Sequence, residues 1–449
     1  MGVVLEPPPA APASKGGLRH SRFNHVVQDP ASNTWVLHSF ASGALLRLSR
    51  VSYGLYLAAP SLDPGLPFVA GLAKRGFLVR GDEMAALRHG LRAKCYGADS
   101  LVLTVCPTMA CNFSCPYCFE THRPGSMSPQ AQDDLVAFVD RQLASFPLRH
   151  MGVMWFGGEP LLRPDIIEAL TGRFREVAGA RGVEYSAAIV TNGSLLTDEN
   201  YALLERCGVH ELQVTLDGPT PQTNDPYRRA KDGRGSFDVI VSNLRRAPEG
   251  FDIKLRCNVG RHNLHLFDDM RALQRSIDAE AGAHVRLVPA VMDTDVAAGD
   301  EAAEMGVGYE AVGRALSQGG YFEQDNLGGL VPESFKGPAC SSSCIHTYVI
   351  DERGNLYRCW EDCGRQEEAF GNVASFDNPL FDADCQKMAR YLEHAWPGDD
   401  PRCAACELMP VCMGGCPHRF MATGERHCPW FKDDLDAYVL NIAAKRAAR

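Results

Sequence analysis

Cys111-Asn112-Phe113-Ser114-Cys115-Pro116-Tyr117-Cys118 spaces three thiols as Cys-x3-Cys-x2-Cys, with an aromatic residue just before the last. A loop of that spacing can wrap a cube of iron and sulfide and supply three thiolates. An ordinary electron-transfer [4Fe–4S] cluster takes four Cys, so a three-Cys loop leaves one iron open to a small-molecule ligand. A zinc loop or buried structural thiols are the competing readings, although zinc favours paired Cys-x2-4-Cys spacings from two separate knuckles.

Following a short apolar strand at 101–105, the triplet with Tyr117 resembles the signature of radical S-adenosylmethionine (SAM) enzymes. The resemblance implies that the open iron chelates the amino and carboxylate groups of S-adenosyl-L-methionine. Reductive cleavage would then give methionine and a 5′-deoxyadenosyl radical that abstracts hydrogen from a substrate. The cofactor carries the hard chemistry and the protein positions it. An electron donor of flavodoxin or ferredoxin type is implied as a partner.

Composition sets the outer bounds. The chain has 449 residues, 45% of them hydrophobic, enough for a large core and for two or three domains. Its formal net charge of -10 argues against a nucleic-acid partner, which calls for a basic footprint. No run of about 18 or more apolar residues marks a transmembrane helix, so no membrane partner is expected. Residues 1–22 begin with a Pro-, Ala- and Gly-rich stretch that lacks a secretory pattern, and they read as a disordered tail. Glu6 stands where the myristoylation pattern wants Ser or Thr. A cytoplasmic, reducing setting follows, in which the seventeen cysteines bind metal rather than pair as disulfides.

Downstream of the triplet, short apolar runs alternate with helical patterns, as in a parallel sheet covered by helices. Strands are expected at 101–105, 151–156, 184–191, 210–216, 253–259 and 284–290. Helices are expected at 129–144, 165–180, 198–207, 237–246 and 264–277. Residues alone support parallel α/β; the resemblance implies a partial (β/α)6 TIM-like barrel over 93–291. Ligands in such sheets gather at the carboxyl ends of strands.

The second strand ends in Gly157-Gly158-Glu159, which is by itself a turn signal. The resemblance gives these residues contact with the methionine amino group. It likewise gives ribose or carboxylate contacts to Thr191, Asn192 and Thr215 at the next strand ends, where N-cap and turn chemistry is the plainer alternative. Arg228 or Arg229 could clamp the cofactor carboxylate or form a solvated pair, and Asn258 and Leu287 are candidates for ribose and adenine.

A second cysteine array closes the chain: Cys344-x9-Gly354-x4-Cys359, then Cys403-x2-Cys406-x5-Cys412-x3-Cys416, and Cys428. It resembles the SPASM extension, whose two auxiliary [4Fe–4S] clusters would bring the total to three. The family's topology implies Cys340, Cys344, Cys359 and Cys416 at the nearer cluster and Cys403, Cys406, Cys412 and Cys428 at the distal one. Cys363 or Cys385 could replace Cys340. Cys95, Cys106, Cys207 and Cys257 read as packed small hydrophobes, with Cys257 placed to face the active site. The extension is expected over 339–449, joined by a bridge at 292–338.

Residues 23–92 show two strand-like runs, two short helical patterns and an Arg75–Arg80 turn, an order similar to the winged-helix-like recognition domains of peptide maturases. Such a domain would bind the leader of a precursor peptide by strand addition; a helical cap on the barrel is the alternative. The combined resemblance is to peptide maturases that crosslink residues through thioether or carbon–carbon bonds, or oxidise them. A sulfatase-maturase activity forming formylglycine is the second reading, weakened because Trp360 rather than Asp follows Cys359. A non-catalytic iron–sulfur carrier or binding module is the third. No catalytic base is assigned, although Tyr357, Glu361 and Asp362 lie nearby.

Overall fold

A computed structural model describes residues 17–97, 99–292, 300–318, 333–376, 385–429 and 431–447. Three sheets organise them. A two-stranded pair joins β1 (Arg19–His20) to β5 (Leu78–Val79), and an antiparallel sheet orders β2 (Asn24–Asp29), β3 (Thr34–Ser39) and β4 (Leu45–Leu48). The main sheet runs through β6 (Ser100–Val105), β7 (His150–Trp155), β8 (Glu184–Thr191), β9 (Val209–Thr215), β10 (Asp252–Val259) and β11 (His284–Val291), all parallel.

These six strands form because each carries buried apolar residues at alternate positions or nearly throughout, as strands covered on both faces do. Leu101, Leu103 and Val105 of β6 and Ile253 and Leu255 of β10 are fully buried. Helices Pro129–Ser145, Pro164–Gly179, Asp198–Arg206, Phe237–Arg245 and Phe267–Glu280 fill the crossovers. Ser128 and Thr197 start two of them by accepting the backbone N–H of Ala131 and Asn200. Among the described residues β11 has one sheet neighbour, so the sheet is open, a partial barrel.

The far edge holds a feature with no signal in local sequence. β12 (Thr347–Ile350) docks parallel to β6, and β13 (Asn355–Tyr357) and β14 (Gly371–Asn372) continue antiparallel, making a nine-stranded sheet among the described residues. The cysteine-rich end of the chain is thereby built onto the first barrel strand. Arg123 locks the joint, donating to Asp351 at 2.8 Å, to Glu352 at 2.7 Å and to the Gly364 carbonyl at 2.7 Å. Both carboxylates are buried, and pairing with hydrogen bonds is what makes such charges tolerable.

At the amino end, residues 17–22 belong to the fold rather than to a tail: Leu18 is buried, and Arg19–His20 pairs with β5. Residues 1–16, and 293–299 and 319–332 of the expected bridge, lie outside the described residues. Helices Arg50–Ala58, Pro67–Lys74 and Glu83–Cys95 complete the front unit. It meets the cysteine-rich end through His25, whose Nδ1 lies 2.8 Å from Glu407 Oε1 and whose Nε2 lies 2.8 Å from Asp436 Oδ1. No described helix is long and apolar enough to cross a membrane.

Burial alone would lower the His25 pKa, but the two carboxylates outweigh it and the net shift is upward. A raised folded-state value stabilises the fold most below the unfolded value near 6.5 and loses that contribution as pH rises through the folded value. Wild type should therefore exceed His25→Gln by about 1 kcal/mol at pH 6, with the gap closing above pH 8. Urea titrations at the two pH values check this.

Candidate active site

The triplet loop leaves β6 at the carboxyl end of the sheet and is tied down along its length. Phe113 bridges Ala230, Ser114 N donates to Arg229 O at 2.8 Å, and Lys231 N donates to Asn112 O at 2.9 Å. Asn192 Nδ2 donates to Asn112 Oδ1 at 2.7 Å, and Asn112 Nδ2 donates to Ser194 Oγ at 2.9 Å, fixing the loop to the end of β8. Tyr117 is the deeper anchor. Its hydroxyl donates to Asp217 Oδ2 and accepts from Arg228 Nη1 at 3.1 Å and Asn258 Nδ2 at 3.3 Å. Asp217, fully buried, also accepts from Asn258 N at 2.9 Å.

Gly157 and Gly158 press on the same loop. A Cβ on Gly157 would fall 2.4 Å from Thr108 O, and one on Gly158 would fall 2.4 Å from Ala110 O. Gly157 has φ +109°, a region that side chains avoid. The glycine pair thus lets one strand end approach the backbone of the cysteine loop, and both residues line the cavity beside it.

That cavity has a volume of about 720 Å³, within the range of small-molecule and cofactor sites. Cys111, Cys115 and Cys118 line it with Gly157, Gly158, Thr191, Asn192, Thr215, Arg228 and Asn258. Cys340, Cys359 and Cys416 line the same cavity. Burial pushes the Cys111 and Cys118 thiols up to about 12 and raises Cys115 as well, so the loop would hold thiolates only with metal bound, since coordination deprotonates a thiol. Among the described residues Arg228 Nε is buried without an acceptor, a spare donor on a cavity-lining side chain. Thiols, a glycine cradle, an orphaned donor and the volume together fit a cluster with an amino-acid-bearing ligand.

Three expected contacts are placed elsewhere. Glu159 is fully buried behind the cavity, where its oxygens accept from Thr191 Oγ1 at 2.8 Å, Asn192 N at 2.7 Å and Leu161 N at 3.0 Å. It braces the two strand ends rather than facing a ligand. Leu287 packs in the hydrophobic core. Arg229 is exposed, its Nε donating to Pro226 O at 2.6 Å.

The second array separates in space. Cys403, Cys406, Cys412 and Cys428 line a cavity of about 140 Å³ with Arg426 and Lys432, whose Nζ lies 3.1 Å from Cys428 Sγ. Cys344 does not line the main cavity, and its thiol interacts instead with that of Cys95. Cys363 is buried with its Sγ 3.7 Å from Cys106 Sγ, so Cys340 rather than Cys363 stands beside Cys359 and Cys416. Cys257 is buried in the core and does not line the cavity; the Cys385 side chain lies outside what is described. Among the described residues no three His, Cys, Asp or Glu converge on a single metal ion; the thiols surround cavities instead.

Sequence reasoning missed Asp217 as the buried acceptor of Tyr117, though it lies in the Thr215-Leu216-Asp217-Gly218 strand end. It also missed the cavity carboxylate Glu120, whereas Glu361, noted after Cys359 in the sequence, lines the same cavity. Burial pushes Glu120 up to about 8 and Glu361 up to about 7. Asp362 is instead held by Tyr391 and Arg390, and Tyr357 donates to Asp351 at 3.0 Å. Tyr117→Phe would leave Asp217 short of a donor and should cost about 1–3 kcal/mol, read as a lower urea midpoint; an unchanged midpoint would mean the anchor carries no load.

The Radical SAM superfamily profile matches residues 105–273. Mycofactocin maturase MftC of Mycolicibacterium smegmatis is 28% identical over 323 residues, covering 69% of this chain and 76% of the relative. Native anSMEcpe with bound AdoMet and Cp18Cys peptide matches 78% of this chain and 98% of its own, with TM-score 0.56 and 14% identity. Streptococcus suis SuiB bound to precursor peptide SuiA matches 91% and 97%, with TM-score 0.51 and 12% identity. At those identities the two structures speak to fold alone. The profile opens at Val105, where β6 hands over to the three-thiol loop, and runs into helix Phe267–Glu280; the chain carries a radical SAM domain over these residues.

Proposed function

We propose that this enzyme is a radical SAM/SPASM maturase of a ribosomally made precursor peptide. The observation that carries it is the single cavity lined both by Cys111, Cys115 and Cys118 and by Cys340, Cys359 and Cys416. A peptide residue between them would sit next to both a hydrogen-abstracting centre and an electron acceptor. Bound S-adenosylmethionine and its [4Fe–4S] cluster would supply the hydrogen-abstracting radical. The chain's own work is positional: the triplet holds the cluster, Gly157 and Gly158 leave room for the cofactor, and Thr191, Asn192, Thr215 and Asn258 offer it polar contacts. The similarity to MftC, named a maturase, supports the reading.

The auxiliary ligand sets follow the two cavities. Cys403, Cys406, Cys412 and Cys428 would hold the distal cluster. Cys340, Cys359 and Cys416 would hold the nearer one, with Cys344 reaching it only if it leaves Cys95. An electron donor of flavodoxin or ferredoxin type would reduce the radical-site cluster.

Residues 23–92 would bind the leader. β4 has one sheet neighbour among the described residues, while helix Leu435–Ala447 packs on β2 and β3. Beside β4, helix Arg50–Ala58 exposes Val51 at 74%, Leu55 at 44% and Leu57 at 47%. An extended peptide could extend the sheet at β4 and lay apolar residues on that helix.

The sulfatase-maturase reading is weaker. Trp360, where those enzymes carry Asp, packs at a tilt against Phe156 with ring centres 4.4 Å apart and donates Nε1 to Thr104 Oγ1 at 2.9 Å, so no carboxylate stands at that position.

Anaerobically reconstituted protein given S-adenosylmethionine and dithionite should release 5′-deoxyadenosine. The Cys111, Cys115 and Cys118→Ala triple variant should release none while retaining roughly two thirds of the iron. Undiminished release would defeat the assignment, and none from wild type would favour an iron–sulfur carrier. Blocking the open side of β4 with Arg47→Pro, at a position that alternates with the Leu46–Leu37 pair and so faces away from β3, should weaken capture of the precursor peptide encoded nearest this reading frame at least about tenfold while leaving substrate-free cleavage intact; equal capture would favour a cap.

A further inference from the structure

Arg228 reaches the cysteine loop from the segment after helix Pro221–Asn224, whose turn its own N–H closes onto Asn224 O at 2.9 Å. The residue is 7% exposed and lines the cavity. Its guanidinium lies 5.5 Å from the centre of the Phe113 ring and donates Nη1 to Tyr117, so it touches the aromatic residues on either side of Cys115. Its Nε finds no acceptor among the described residues. Arg229, one residue on, is exposed and turned to its own backbone.

We propose that Arg228 is a positioning residue whose buried positive charge offsets the negative charge gathered at the three-thiol loop and so eases one-electron reduction of the centre held there. The proposal rests on the reading that this loop holds a cluster. Three thiolates would stand on the loop that Tyr117 ties to the buried Asp217 carboxylate, and Arg228 donates to that same Tyr117 hydroxyl. An added electron raises the negative charge further. A cation out of water acts on that electron several times more strongly than a solvated one such as Arg229. The step is an electron transfer from a low-potential reductant; no bond forms or breaks at Arg228.

The test is redox titration of the full-length, anaerobically reconstituted protein with titanium(III) citrate, followed by electron paramagnetic resonance. The relevant signal is the one lost in the triple Cys→Ala variant. At fixed potential, Arg228→Gln and Arg228→Met should lower the ratio of reduced to oxidised centre at least about tenfold, while Arg228→Lys stays within about threefold of wild type. Neutral variants with the wild-type ratio would overturn the proposal, and so would a change confined to S-adenosylmethionine affinity. If the neutral variants fail to load iron at this site, loading by Arg228→Lys supports a need for charge, and failure of Arg228→Lys as well shows that shape alone matters and overturns it. Absence of any triplet-dependent signal in wild type would defeat the underlying reading instead.

Discussion

The hydrogen bond from the Tyr117 hydroxyl to the buried Asp217 carboxylate carries the site. A loop that presents three thiols to one small volume has no regular secondary structure to hold it, and its own backbone makes few bonds. Asp217 sits at the end of β9 and also accepts from Asn258 N at the end of β10, so the loop inherits the geometry of two barrel strands. Asn112 does the same with the end of β8 through Asn192. Precise placement of reacting groups by rigid elements is what radical chemistry needs, because a misplaced radical attacks the protein instead of the substrate.

The second constraint is the docking of β12 on β6. It makes the cysteine-rich end a continuation of the barrel sheet, and it brings Cys359, after β13, to the wall of the same cavity as Cys118. The Arg123 cluster with Asp351 and Glu352 then fixes the angle between the two halves. A single cavity served by both halves follows from the sheet order.

Much of this was legible in the chain. Strands expected at 151–156 and 210–216 are His150–Trp155 and Val209–Thr215, and the strand at 184–191 is Glu184–Thr191, because apolar runs between helical patterns are local signals. Gly157-Gly158 could be read as a turn, but its close approach to the loop backbone could not. What was not legible depends on distant pairing. β4 is short and flanked by no alternation, β12 meets β6 across more than two hundred residues, and Glu159 turns inward because Thr191 and Asn192 offer it three donors with the Leu161 N–H. Cysteine spacing gave the two sets of thiols but not the interaction of Cys344 with Cys95, which needs the end of helix Glu83–Cys95 brought from the front unit.

The account stands on a metal centre with one coordination position left for S-adenosylmethionine. Electron–nuclear double resonance of the reduced, anaerobically prepared protein with S-adenosylmethionine carrying 17O in its carboxylate and 15N in its amine addresses that position directly. Resolved coupling of both nuclei to the centre is the predicted result, and it should vanish when Cys111, Cys115 and Cys118 are replaced. A spectrum of the wild-type centre that is the same with and without the labelled compound would contradict the account.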